Sequence, residues 1–81
     1  MTYKIDEKTQ ADLDNRFTYH APKGDQVTRY AMLRDGGKTL AEFICKTVPP
    51  GRERALALTK LQEAVMWANA GIACGEVEDE G

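Results

Sequence analysis

Four kinds of residue that carry chemistry are scarce in this chain of 81 residues. It has one histidine, two cysteines, three prolines and six aromatic side chains. One histidine and no Cys-x-x-Cys leave no tetrahedral zinc site. Cys45 and Cys74 stand alone, so a disulfide framework is not expected and both read as buried thiols. The polar, charged stretch from Met1 to Gln10 has no apolar leader, and no apolar run approaches a membrane span. No charge of either sign dominates. Eleven Lys and Arg face 13 Asp and Glu, for a net charge of −2, which disfavours a protein that coats nucleic acid.

Catalytic signatures are missing too. Nucleophilic catalysis needs a nucleophile, a base and an orienting group, and no Gly-x-Ser-x-Gly elbow is present. Gly36-Gly37-Lys38-Thr39 resembles the end of a phosphate-binding loop but lacks the upstream glycine. The expectation is therefore a protein that is not an enzyme and carries no cofactor or metal.

What is present is helical. Val27, Tyr30, Gly37, Leu40, Ala41, Ile44 and Val48 recur at helical spacing, with Asp25 placed to cap the segment. Leu58, Leu61, Val65, Ala68 and Ile72 alternate by three and four, the pattern of a helical seam. Pro49-Pro50-Gly51 separates the two runs. Pro50 fits the first turn of the second helix and Gly75 its stop. Thr9 is placed to cap a shorter helix through Asp12 and Leu13. Gly36-Gly37 implies a bend or a close approach by another group. The expected fold is all-α: a short N-terminal helix and an antiparallel helical hairpin forming a single domain over 1–75, followed by an acidic, disordered tail over 76–81.

So short a chain buries only roughly 60% of its unfolded surface, which leaves its own core marginal. The second long helix is apolar over a wide arc, because Leu56, Met66, Trp67 and Ala70 extend it beyond the seam. Trp67 reads as a core or interface residue, and Asn69 as a hydrogen-bonding group across a helix interface. The hairpin is expected to complete itself by oligomerisation.

Binding residues cluster around one loop. Tyr19 and His20 precede a helix that carries Arg29, Arg34 and Lys38, and the last two, four apart, share a face. Aromatics near such cations suit a ligand with a flat ring and a phosphate. The same residues also read as a hairpin anchor and a solvated cationic face. Arg52-Glu53-Arg54 places cations at a helix start, against the macrodipole, which points either to a bound phosphate or to an ion pair through Glu53.

Longer strings carry a family likeness. Arg16-Phe17-Thr18-Tyr19-His20-Ala21-Pro22, Arg29-Tyr30, Leu33-Arg34, Arg52-Glu53-Arg54 and the run from Leu58 to Ala70 with its Trp67-Ala68-Asn69 centre resemble the Acb/Tad hairpin-domain family. Those phage proteins counter CBASS and Thoeris immunity. The likeness spans about residues 15–74. It implies a sponge in the host cytoplasm that binds cyclic oligonucleotide messengers without cleaving them. It also implies hexamers with ligand pockets between protomers. By motif position Tyr19 would stack on a base and Arg34 would meet the phosphates. Lys38 joins them through its shared face, and His20 through its place beside Tyr19. The implied partner is a cyclic dinucleotide such as cyclic GMP-AMP. For a cyclic trinucleotide the pattern departs, because family members often carry Arg where Cys74 follows Ile72-Ala73. Cyclised ADP-ribose variants rank lower for a bare hairpin. The contrasting expectation is a protein–protein module, a phage adaptor or host-protein inhibitor without a nucleotide ligand. DNA ranks third, since neither long helix has more than four Lys or Arg.

The charge is unevenly placed. Four of the 13 acids lie in 76–81, so residues 1–75 carry 11 Lys and Arg against nine acids, a net +2. A mildly positive body suits a small dianion better than a long polyanion.

Overall fold

The computed structural model describes residues 2–76. Three helices follow one another: α1 (Glu7–Arg16), α2 (Gln26–Thr47) and α3 (Arg52–Gly75). No strand occurs among the described residues, and no helix is long and apolar enough to cross a membrane.

Helices α2 and α3, about 33 and 36 Å long at 1.5 Å per residue, pack as an antiparallel hairpin. Its seam consists of half-buried residues: Tyr30, Leu33, Gly37, Ala41, Ile44 and Val48 from α2, and Leu58, Leu61, Val65, Ala68 and Ile72 from α3. The α3 stripe is the one its spacing predicts. On α2 the prediction admits Val27 and Leu40, which are exposed, and omits Leu33.

The two adjacent glycines divide the alternatives posed by the sequence. A Cβ added at Gly37 would lie 2.8 Å from Cγ2 of Val65, so this glycine lets the helices meet at mid-length. A Cβ at Gly36 would meet nothing within 4 Å. Helix α2 runs through both without interruption, although each costs about 1 kcal/mol of helix propensity relative to alanine.

Local interactions set the helix ends, in some places differently from expectation. Helix α1 starts earlier than a Thr9 cap predicts: Asp6 is its N-cap, in the extended conformation such residues adopt, and Thr9 lies inside the first turn. At its other end the Thr18 hydroxyl donates to the Asp14 carbonyl. Asp25 is the N-cap of α2 as predicted, reached through Gly24, whose φ of 53° is left-handed. Helix α3 begins at Arg52 with Gly51 as N-cap, so Pro50 belongs to the turn rather than to the helix. One of the two arginines at its start serves the neighbouring helix. Arg54 Nη1 donates to the Cys45 carbonyl at 3.3 Å, which places a cation at the C-terminal end of α2, where the macrodipole favours it. No ion pair of Glu53 is found among the described residues, so this contact accounts for Arg54.

The far end of the hairpin is closed by Gln26, the one buried polar residue among those described. Its Oε1 accepts from the Lys23 backbone N–H at 2.9 Å, and its Nε2 donates to Glu76 Oε1 at 3.2 Å. Arg29 grips the same carboxylate and also pairs with Asp25 at 3.1 Å. Glu76 is thus a tethered C-cap residue where a disordered tail was expected to begin; 77–81 lie outside the described residues.

The molecule is one layer thick. Its extents are 49 × 41 × 14 Å, and its radius of gyration of 17.4 Å compares with about 12 Å for a compact domain of this length. No apolar side chain is buried among the described residues. The accessible surface, 6974 Å², exceeds by roughly 2,000 Å² what a compact protein of this mass exposes. Trp67 is 70% exposed, which excludes a core role within one chain. Cys45 is exposed and Cys74 half-buried, so neither is the buried thiol expected.

Candidate functional site

A two-helix layer has two broad faces, and a groove follows the seam on each. Gly37, Leu61 and Val65 belong to both grooves and mark the seam between them. On one face the floor is Ala41, Leu58, Leu61 and Val65, and the rim is Arg34, Lys38 and Gln62. This groove, about 370 Å³, is within the range of small-ligand sites but open to solvent.

The one-turn spacing of Arg34 and Lys38 places both cations over this floor, as their shared face predicts. Neither has an ion pair or hydrogen bond among the described residues. Three other cations of the hairpin are committed: Arg29 to Glu76 and Asp25, Arg54 to Cys45, and Lys60 to Glu63 at 3.6 Å. Two unpaired cations beside an apolar floor and an amide are equipped for an anion with a flat, weakly polar body. Gln62, Leu58 and Leu61 are among the lining residues that sequence reasoning missed as site residues. Their one-turn repeat on α3 was a usable signal, but it reads equally as seam.

Tyr19 and His20 do not line this groove. Tyr19 stands 83% exposed on the loop between α1 and α2. His20 is half-buried, and its Nε2 lies 2.7 Å from the Asn15 carbonyl, a contact that requires Nε2 to carry the proton. The histidine ties the loop back onto α1. Asn15 continues the connection: its Nδ2 donates to the Cys74 carbonyl at 3.0 Å and holds α1 against the end of α3.

A second groove lies at that α1–α3 junction. Phe17, 83% exposed, and Trp67 line it, together with Arg16, Asn15 and Cys74. Arg16 is neutralised by Asp12 at 2.9 Å. Two buried amide oxygens, Asn15 Oδ1 and Asn69 Oδ1, have no partner. Asn69 therefore makes no hydrogen bond across the hairpin through that atom. No group of His, Cys, Asp and Glu among the described residues could hold a metal ion.

A bare helical hairpin with an N-terminal accessory helix and an open cationic groove defines a small all-α hairpin domain. Comparison with known families makes this specific: residues 9–73 match the family model described as Acb2/Tad1, hairpin domain. The chain belongs to that family. A comparison with curated proteins finds no match, and neither does one with solved structures.

Proposed function

We propose that the protein binds cyclic dinucleotides and sequesters them without cleavage, antagonising CBASS-type antiphage signalling in the host cytoplasm. The observation that carries this reading is the pair of unpaired cations, Arg34 and Lys38, above the apolar floor of an open groove in a chain of the Acb2/Tad1 hairpin family. Their charges take the phosphates, and Gln62 offers an amide to base or ribose. Tyr19 supplies the stacking ring from a second protomer, which makes the missing wall of the groove an intermolecular one. His20 contributes by holding Tyr19's loop to α1 through Asn15. The chain thus works as a homo-oligomer, a hexamer in this reading. A cyclic trinucleotide ranks below a dinucleotide because Cys74 supplies no cation.

Isothermal titration with a panel of cyclic nucleotides tests the reading. Binding of at least one cyclic dinucleotide, with the ligand recovered intact after denaturation, is expected. Absence of binding to every member sinks it, and recovery of linear product replaces it with an enzyme.

The exposed pair Phe17 and Trp67 favours a second reading, a protein–protein module without a nucleotide ligand. It predicts a stoichiometric host partner in pull-downs and indifference to the same panel.

A further inference from the structure

The two rims of the Arg34–Lys38 groove carry different chemistry. Both cations stand on α2, and Gln62 stands on α3 across the apolar floor. Guanidinium and ammonium groups donate hydrogen bonds and accept none. The lining positions lie inside uninterrupted helices, whose backbone carbonyls are taken by the helical ladder. Among the described residues that line the groove, Gln62 Oε1 is therefore the one side-chain acceptor. The Gln62 amide makes no hydrogen bond among the described residues, so its carbonyl and its NH2 are both available to a ligand.

This asymmetry orients a nucleotide. With its phosphates drawn to the α2 rim, a base lies over Leu58 and Leu61 and turns its far edge to Gln62. A base N–H removed from water without an acceptor weakens binding, and only Gln62 can supply one from this wall. A carboxamide holds an acceptor and a donor side by side. Adenine presents the matching pair on two edges, its amino group beside N7 on one and beside N1 on the other. Guanine presents two acceptors, O6 and N7, on the first of those edges, a pattern that suits an arginine or lysine. The amide thus fits adenine on both edges and guanine on one.

We propose that Gln62 reads the base and makes the groove prefer adenine to guanine in a cyclic dinucleotide, an inference that rests on the groove's being a cyclic dinucleotide site. Arg34 and Lys38 supply affinity for any such ligand, because phosphates are common to all of them. Gln62 supplies the discrimination, because only the base edge differs.

Isothermal titration of the full chain with cyclic di-AMP and cyclic di-GMP tests it. The wild type is expected to bind cyclic di-AMP about 5- to 150-fold tighter, the range of one good two-bond contact to a base. Gln62→Met keeps the length and helix propensity of the side chain and removes both hydrogen-bonding groups. It is expected to close the gap, chiefly by weakening cyclic di-AMP. Gln62→Arg offers two donors to O6 and N7 of guanine and is expected to reverse the order. A residue with a structural role alone would weaken both ligands alike and could not reverse them. Gln62 is exposed, so both variants should keep their helical circular dichroism; if either loses it, the wild-type ratio decides. Equal wild-type affinities, a wild-type preference for cyclic di-GMP, or an undiminished preference in Gln62→Met overturns this inference alone. A wild type that binds no cyclic dinucleotide overturns it together with the function beneath it.

Discussion

Arg29 holds Glu76 in a two-pronged grip across 47 residues of sequence, Nη1 to Oε2 at 2.7 Å and Nη2 to Oε1 at 2.6 Å. The pair fastens the first turn of α2 to the C-cap of α3. With further help from Gln26, it lowers the Glu76 carboxyl from 4.5 to about 2. A carboxyl that ionises more readily in the folded state stabilises that state wherever it is ionised. The contribution is fully present above about pH 4.5 and is lost as pH falls through about 2. Glu76→Gln is expected to lower the melting temperature at pH 6, and the difference from wild type should shrink steadily toward pH 2. Thermal melts followed by circular dichroism across that range provide the check; a pH-independent difference would refute the assignment.

Gly37→Ala tests the helix contact at mid-hairpin. Its methyl group would lie 2.8 Å from Val65 Cγ2, and overpacking of this kind costs about 1–3 kcal/mol, against a helix-propensity gain of about 1. A net loss in urea unfolding is expected. Val65→Ala added to Gly37→Ala should recover part of it, and a simple sum of the two single losses would show that the contact is not the cause.

Gly24 governs the delivery of the Tyr19 loop into α2. Its φ of 53° costs an alanine about 1–2 kcal/mol and an asparagine less. Gly24→Ala should melt below wild type, with Gly24→Asn in between. Equal melting of Ala and Asn variants would count against the left-handed turn.

For the cationic groove, Arg34→Ala and Tyr19→Ala are each expected to weaken cyclic dinucleotide binding about 5- to 150-fold, the range of one stacking contact worth roughly 1–3 kcal/mol or one charge-assisted bond of similar size. Lys38→Ala should weaken it less and flatten the dependence of affinity on salt. Calorimetry gives the affinities and sedimentation confirms that the assembly survives. Normal binding by both the Arg34 and Tyr19 variants would place the site elsewhere.

The helices were legible because their signals are local. Repeats of three and four, the Asp25 cap and the Pro49-Pro50-Gly51 break each act within a turn or two. The pairing of Arg34 with Lys38 was legible for the same reason, since one helix fixes both. What the sequence hid is long in range. Nothing near Glu76 announces Gln26 and Arg29, because the ion pair exists only after the hairpin closes. The reach of Arg54 to Cys45 depends on the path of the turn. Leu40 and Val27 fit a helical stripe yet stay exposed, because a single partner helix covers a narrower arc than the sequence makes apolar.

A layer 14 Å thick, with no buried apolar side chain among the described residues, has a consequence for how the protein reaches its native state. In a compact domain, collapse is an event within one chain and its equilibrium ignores concentration. In the proposed oligomer most of the apolar surface is removed from water by other molecules, so its folding is a reaction of high molecularity. Dilution then acts as a denaturant, and the melting temperature rises with the logarithm of protein concentration. For that oligomer, copies too few to assemble would lack the finished pocket.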